Sequence, residues 1–388
     1  MYWKRFLILA ISLTLGILAG FLFAHFSPPP SIQPLTVLFT NPMKKPRLII
    51  GFQPYWLLSN TKDDYSPYIT TLSYFGLLLT ENGSIQKLVN QREEEPGWTT
   101  LKGPSFKDKL AQMKTKGVHL SILVQASDED VIASLMEKPV EHAQNLLADI
   151  SPIMKTNGFT DLNLDIESFK DASASTQQNF TQFVAEIKKG LNEEHLGTLT
   201  VDVTPISLVK DQLINLGAIA PFIDYIVLMG YDFHYSLSSV SGPVAPIGGA
   251  GEVREYDVST SLTEGLKQIS SEKFILGIPL YGYEWETLSS TLGSPVIPGT
   301  AKAASYRRIL EILKTCTNCT KEFDKKAQQP SIIFPSDDGN GFHQIFYEDE
   351  QSLQRKLTLV KEKNIAGIAL WALGYEDGNL LEGLKTYR

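Results

Sequence analysis

Eight short apolar runs recur along the chain, with helix-like segments between most of them. That alternation constrains the fold more than any other feature. Leu48–Phe52, Thr71–Leu79, Val118–Val124, Phe159–Glu167, Leu199–Thr204, Tyr225–Met229, Phe274–Leu280 and Ala366–Trp371 read as strands. Helical spacing fills Lys107–Lys116, Val140–Asn157, Thr176–Leu191, Ser259–Ser270 and Ser352–Lys363, with Gly117 and Gly158 placed where helices stop. Eight strands with intervening helices predict an α/β fold, a (β/α)8 TIM barrel spanning 47–388. The competing doubly wound sheet wants a Gly-rich phosphate loop after its first strand. Gln53-Pro54-Tyr55-Trp56 stands there instead.

The interval between the seventh and eighth strands is too long for one crossover. Residues 284–347 hold a helix-like Ala303–Leu313 and strand-like Ser331–Phe334 and Gly341–Tyr347. They read as a small inserted α+β subdomain forming one wall of a cleft. Cys316 and Cys319 fall within it. A lone C-x-x-C lacks the second ligand pair of a structural zinc site. The first reading is two loop cysteines without special chemistry, and a local disulfide is the next if the chain is exported.

The N-terminus predicts export. Lys4 and Arg5 precede Phe6–Phe26, a run with no acidic or basic residue except His25. As a helix it is long enough, at ~30 Å, to cross a bilayer. Residues 1–26 read as an uncleaved anchor with its cations inside, or as a signal. The expected location is the cell membrane, single-pass with the globular part outside, or alternatively secretion. Residues 27–46 contain Pro28-Pro29-Pro30, Pro34, Pro42 and Pro46 and read as a stiff linker. The net charge is −8 with no basic stripe, which argues against a nucleic-acid partner. A monomer is expected.

The fourth run carries the chemistry. In Thr160-Asp161-Leu162-Asn163-Leu164-Asp165-Ile166-Glu167, every second residue is apolar and the alternate ones are acids and an amide. Side chains alternate across a strand. A half-exposed edge strand would read the same way. Inside a barrel, however, the polar ladder faces the axis and Glu167 reaches the C-terminal mouth, where active sites lie. Asp165 and Glu167, about 6–7 Å apart along the strand, would raise one another's pKa and keep one acid protonated near neutrality. The competing reading is a structural polar network at the mouth.

These residues resemble the D-x-x-D-x-D-x-E signature of glycoside hydrolase family 18, with Thr160, Asn163, Asp165 and Glu167 at the four positions. Thr160 departs from the pattern, and Asp161 stands where glycine is common. Met229-Gly230-Tyr231-Asp232, Gly277-Ile278-Pro279-Leu280-Tyr281-Gly282-Tyr283-Glu284-Trp285 and Gly367–Gly374 resemble the family's segments at strands six, seven and eight. At strand three, Ser121-Ile122-Leu123-Val124 departs from the frequent S-x-G-G. The pattern looks most like the bacterial spore-cortex and germination branch of N-acetylglucosaminidases.

The resemblance implies a glycosidase acting on β-1,4-linked N-acetylglucosamine polymers, peptidoglycan before chitin, without cofactor or metal. It implies substrate-assisted retention. Glu167 would be the acid and then the base, Asp165 the partner of the acetamido N–H, Tyr231 a donor to the acetamido oxygen, and Trp371 the floor under the reacting sugar. Asn163, Met229 and Asp232 are further candidate binding residues, with a loop-capping acid as the other reading of Asp232. Tyr283 and Trp285 either stack sugars or pack on the insertion. Gln53, Tyr55 and Trp56 leave the first strand at the mouth and are candidates for lining the cleft. A catalytically silent, lectin-like barrel is the alternative of a different class.

Overall fold

The computed structural model describes residues 47–387 apart from Asp63, residues 252–254, Asp338 and Gly378. The expected anchor and Pro-rich linker lie outside the described residues. Among the described residues no helix is long and apolar enough to cross a membrane.

Eight parallel strands close into a barrel. They are β1 (Leu48–Pro54), β2 (Thr71–Leu78), β3 (His119–Ala126), β4 (Asp161–Ile166), β5 (Thr198–Val203), β6 (Tyr225–Leu228), β7 (Phe274–Pro279) and β8 (Gly367–Trp371). Each pairs with its sequence neighbours, and β8 pairs back onto β1. The eight predicted runs coincide with them to within a few residues.

The outward residues of each strand join a continuous core beneath the surrounding helices. From β4 these are Leu162, Leu164 and Ile166. The helix Ala174–Glu193 starts where Ser173 accepts Thr176 N–H, and it buries Phe180, Phe183, Val184, Ile187 and Leu191 against that core. The helix Pro139–Asn157 ends at Gly158, in the left-handed conformation, as expected. The predicted helix Ser259–Ser270 is shorter, Val258–Gly265. It begins where Asp257 accepts Thr260 N–H.

The barrel interior is divided. Ile50, Phe52, Phe75, Leu123, Val227, Ile275 and Ala369 form an apolar plug. On the β3–β5 side, Ser121, Asp161, Asn163, Asp165, Thr200 and Asp202 are buried instead. A barrel normally fills its axis with branched apolar layers, so this polar column costs stability and marks the functional side.

The base of β4 depends on one glycine. Gly197 has φ +112°, and a Cβ there would lie 2.0 Å from Thr160 O, the carbonyl that accepts Thr198 N–H at 3.0 Å. Gly197→Ala should therefore lower the unfolding free energy by about 1–3 kcal/mol, from backbone strain and the clash together. Urea denaturation measures it, and an unchanged midpoint would show that the strand pair does not need this close approach.

The segment between β7 and β8 contains a five-stranded antiparallel sheet, in the order Lys302–Ser305, Tyr281–Thr287, Phe342–Phe346, Gln329–Pro335, Thr320–Asp324. The expected helix over Ala303–Leu313 is Tyr306–Thr315. Its first residues belong to a strand, because Ser305 is the cap that accepts Arg308 N–H. Cys316 and Cys319 are disulfide-bonded, which corrects the reading of two unlinked loop cysteines. The chain leaving that helix brings their Cα atoms to 5.7 Å, within bridging range.

Candidate active site

Period two in β4 sends Asp161, Asn163 and Asp165 inward, stacked from the barrel's base toward its mouth. Asp165 lies opposite Gln125 of β3. Glu167 follows the last ladder residue, its N–H donating to Ala126 O at 2.9 Å. It is half-buried at the rim. The loop beyond is held by Glu129, which accepts Ser168 Oγ at 3.0 Å and Phe169 N–H at 3.0 Å.

β5 contributes Asp202, a residue the sequence reading passed over as part of a strand. It is 4 % exposed, and Asp165 is 3 % exposed. Asp165 Oδ1 and Asp202 Oδ1 have no hydrogen-bond partner among the described residues. Burial pushes the Asp165 carboxyl well above the ordinary carboxylate range, and the charges of Glu167 and Asp202 push it further. Asp202 is likewise raised, first by burial and then by Glu167 and Asp161, while the neighbouring Asn163 amide opposes the shift. Such a set holds a proton that isolated carboxylates would have lost.

Met229 follows β6, and the chain then turns through Tyr231 and Asp232. Asp232 has φ +59°. Its carboxylate accepts the Tyr281 hydroxyl. This bond brings in Tyr281 as a second residue without an assigned role in the sequence. Asp232 opens onto the cleft. Desolvation by the cleft walls lifts its pKa to about 6 against the Tyr281 hydroxyl, with contact to solvent tempering the effect. Glu167 is raised by burial and then by Asp232. The Tyr231 phenol is held well above its usual range by burial and by Asp202, Asp165, Glu167 and Asp232, so it stays a hydroxyl donor. Gly277 makes room for that ring, since a Cβ there would lie 3.1 Å from Tyr231 Cε1 and 2.7 Å from Leu228 O.

A cleft of ≈ 620 Å³ opens above these groups. Glu167, Met229, Tyr231 and Asp232 line it together with Phe169, Ile206, Tyr235 and Leu237. Phe169 and Leu237 are well exposed.

The other expected residues gather elsewhere around the mouth. Trp371 closes β8, half-buried, with ring centroids 4.8 Å from Phe75, 5.8 Å from Phe52 and 6.4 Å from Trp56. Trp56 is 46 % exposed, so it forms an apolar shelf with Trp371. Tyr55 turns away into a short helical segment and packs on the core. Gln53 is fully buried, its amide donating to Pro54 O at 3.2 Å. Trp285 is fully buried in the inserted sheet against Phe346, which decides for packing. Tyr283 lies between Tyr281 and Trp285.

Comparison with known proteins identifies the family of the barrel. The family model described as glycosyl hydrolases family 18 matches residues 55–376. The cortical fragment-lytic enzyme of Bacillus subtilis (strain 168) is 26% identical over 334 residues, covering 82% of this chain and 67% of that protein. The crystal structure of the Bacillus cereus spore cortex-lytic enzyme SleL superposes with a TM-score of 0.69 at 19% identity, over 89% of this chain and 74% of that one. The Ostrinia furnacalis Group IV chitinase gives 0.75 at 19% identity, over 88% and 99%. At such identities the structural matches establish the shared barrel.

Proposed function

The chain belongs to glycosyl hydrolase family 18 and is a glycosidase, and we propose that it cleaves β-1,4-linked N-acetylglucosamine polymers, peptidoglycan in preference to chitin, by substrate-assisted retention. One observation carries this reading. Glu167 stands at the rim of an open cleft, directly above buried Asp165 and beside Tyr231.

In this reading Glu167 gives its proton to the glycosidic oxygen as the bond to the anomeric carbon breaks. The oxygen of the sugar's own 2-acetamido group attacks that carbon, forming an oxazolinium. Asp165, whose Oδ1 lacks a protein partner, accepts the acetamido N–H and offsets the positive charge. Tyr231 donates to the acetamido oxygen. Glu167, now ionised, removes a proton from the water that opens the oxazolinium, with retention. Met229, Asp232 and Asn163 shape the pocket, and Trp371 supplies the apolar face under the sugar. Tyr283, Tyr55 and Gln53 support the surrounding structure.

Peptidoglycan is favoured because a cortical fragment-lytic enzyme and a spore cortex-lytic enzyme are among the relatives. A wall polymer also suits a site carried outside the cell by the N-terminal segment. The test is release of reducing ends by the purified protein from peptidoglycan and from chito-oligosaccharides. Binding of either without cleavage would favour the lectin-like alternative instead.

The pH dependence follows from the carboxylates. Glu167 must be protonated to act first as an acid, and its pKa is raised above the ordinary 4.5. The alkaline limb of kcat/KM should therefore lie above the ordinary carboxylate range. Removing the neighbouring negative charge with Asp232→Asn lowers the Glu167 pKa and should move that limb to lower pH. A limb that stays in place would disconnect Asp232 from the acid.

A further inference from the structure

The mechanism leaves two buried acids of the polar column unused, Asp202 and, beneath it, Asp161. Asp161 sits at the base of the polar column, four residues below Asp165, in a cage of hydroxyls. Ser121 Oγ donates to its Oδ2 at 2.6 Å, and Thr198 Oγ1 and Thr200 Oγ1 donate to its Oδ1 at 2.6 Å and 2.9 Å. Ser73 Oγ in turn donates to Ser121 Oγ at 3.2 Å. Four hydroxyls from β2, β3 and β5 are thus ordered around one carboxyl group, in a barrel whose neighbouring interior is an apolar plug.

We infer that Asp161 is a positioning residue for the reaction, a fixed negative charge at the foot of the barrel that keeps the upper carboxylates protonated to higher pH. The inference rests on the reading of Glu167 as the acid. Three donors to two oxygens suit the carboxylate form, because each hydroxyl points a proton at the acid. Burial pushes the Asp161 pKa to about 6 against those three bonds, so the group is charged at neutral pH and above. The charged groups facing it are few. Below it lie Asp224, which accepts from Lys188 at 2.6 Å, and the Tyr225 phenol, which the Asp161 charge helps to raise. Above it lies Asp202, whose own shift includes a contribution from Asp161. Asp202 then acts on Asp165 and Tyr231. The Asp161 charge also repels the acids above it directly through the buried interior, and it is this direct field that raises them.

Glu167, the acid whose limb is read, lies six residues further along the chain, about 20 Å at the rise of a strand. At an effective dielectric constant near 20, a unit charge at that range moves a pKa by about half a unit. The effect is small for one residue, but it acts on the limb that decides how much acid is available at neutral pH.

Asp161→Asn tests this, because the amide keeps the shape and an acceptor for the two threonines. The alkaline limb of kcat/KM should fall by about half a pH unit, with the peak kcat retained. A purely structural role would lower activity evenly across the pH range. Ser121→Ala is the second variant. It keeps the carboxyl group but removes a donor, so Asp161 holds its proton to higher pH and the limb should again fall. Unmoved limbs in both variants, with Glu167→Gln inactive, overturn this inference alone. Full turnover in Glu167→Gln overturns the reading beneath it.

Discussion

Glu167→Gln is expected to cost about 10²–10⁴-fold in kcat/KM without lowering stability. The two effects separate because of where the residue sits. Its backbone N–H closes the β3–β4 ladder on Ala126 O, and glutamine keeps that bond. Its side chain stands at the rim, where an amide of the same shape fits but has no acidic proton to give. Stability should hold or rise. Burial and the Asp232 charge raise the folded-state pKa of Glu167. A carboxyl raised in this way destabilises the fold increasingly as pH climbs from the unfolded value through the folded one. Removing the charge relieves that repulsion at neutral pH, and Asp165, next to it, is relieved as well. Initial rates on a chito-oligosaccharide and on peptidoglycan measure the first effect, and thermal unfolding at pH 7 the second. Turnover close to that of the native protein would sink the assignment of Glu167. A variant that is inactive because it unfolds would show up as a lowered transition temperature.

The barrel was legible because its strands are buried on both sides and so read as compact apolar runs. The inserted sheet was less so. Only Leu280 stands between Pro279, where β7 closes, and the strand Tyr281–Thr287, and the change of sheet there is one no local pattern announces. Lys302–Ser305 is a short polar edge strand and was absorbed into the helix that follows. In the candidate site, Asp165 and Glu167 stand out by their spacing, and Tyr231 through the family resemblance. Asp202 was missed although the signal was present. Thr198, Thr200 and Asp202 alternate with Leu199, Val201 and Val203 as clearly as the acids of β4 alternate with theirs. The same period resolves the two departures at the base. Asp161 is in phase with the ladder and buried, whereas Thr160 is out of phase and exposed. Asp161 therefore belongs to the column beneath Asp165, and Thr160 does not.

The largest loss of stability is expected from Lys356→Met. Lys356 Nζ lies 3.0 Å and 2.8 Å from the two oxygens of Glu348, and both side chains are 0% exposed. Gln329 Nε2 donates to Glu348 at 3.1 Å, and Gln329 Oε1 accepts Ala245 N–H at 3.0 Å. The pair thus ties the helix Glu350–Glu362 to the inserted sheet, and through Gln329 to the segment that follows Asp232. Taking two charges out of water is costly, so the intact pair adds little net stability, but breaking it leaves an uncompensated charge. The single variant should lose about 3–5 kcal/mol. The loss should depend on pH. Burial already raises the Glu348 pKa while Lys356 opposes it, and without the lysine the folded-state pKa rises further. The deficit is then least below the ordinary 4.5, where the carboxyl is protonated in both states, and grows as pH increases. Lys356→Met/Glu348→Gln removes the stranded charge and should recover most of the loss at pH 7. Urea unfolding of the native, single and double variants at pH 4.5 and pH 7 decides the matter. If single and double variants are equally unstable at both pH values, the stranded charge is not the cause, and lost packing of the lysine stem is. If the deficit is electrostatic, the single variant should also bind substrate more weakly as pH rises, because the segment beyond Asp232 lines the cleft and loses its anchor through Gln329.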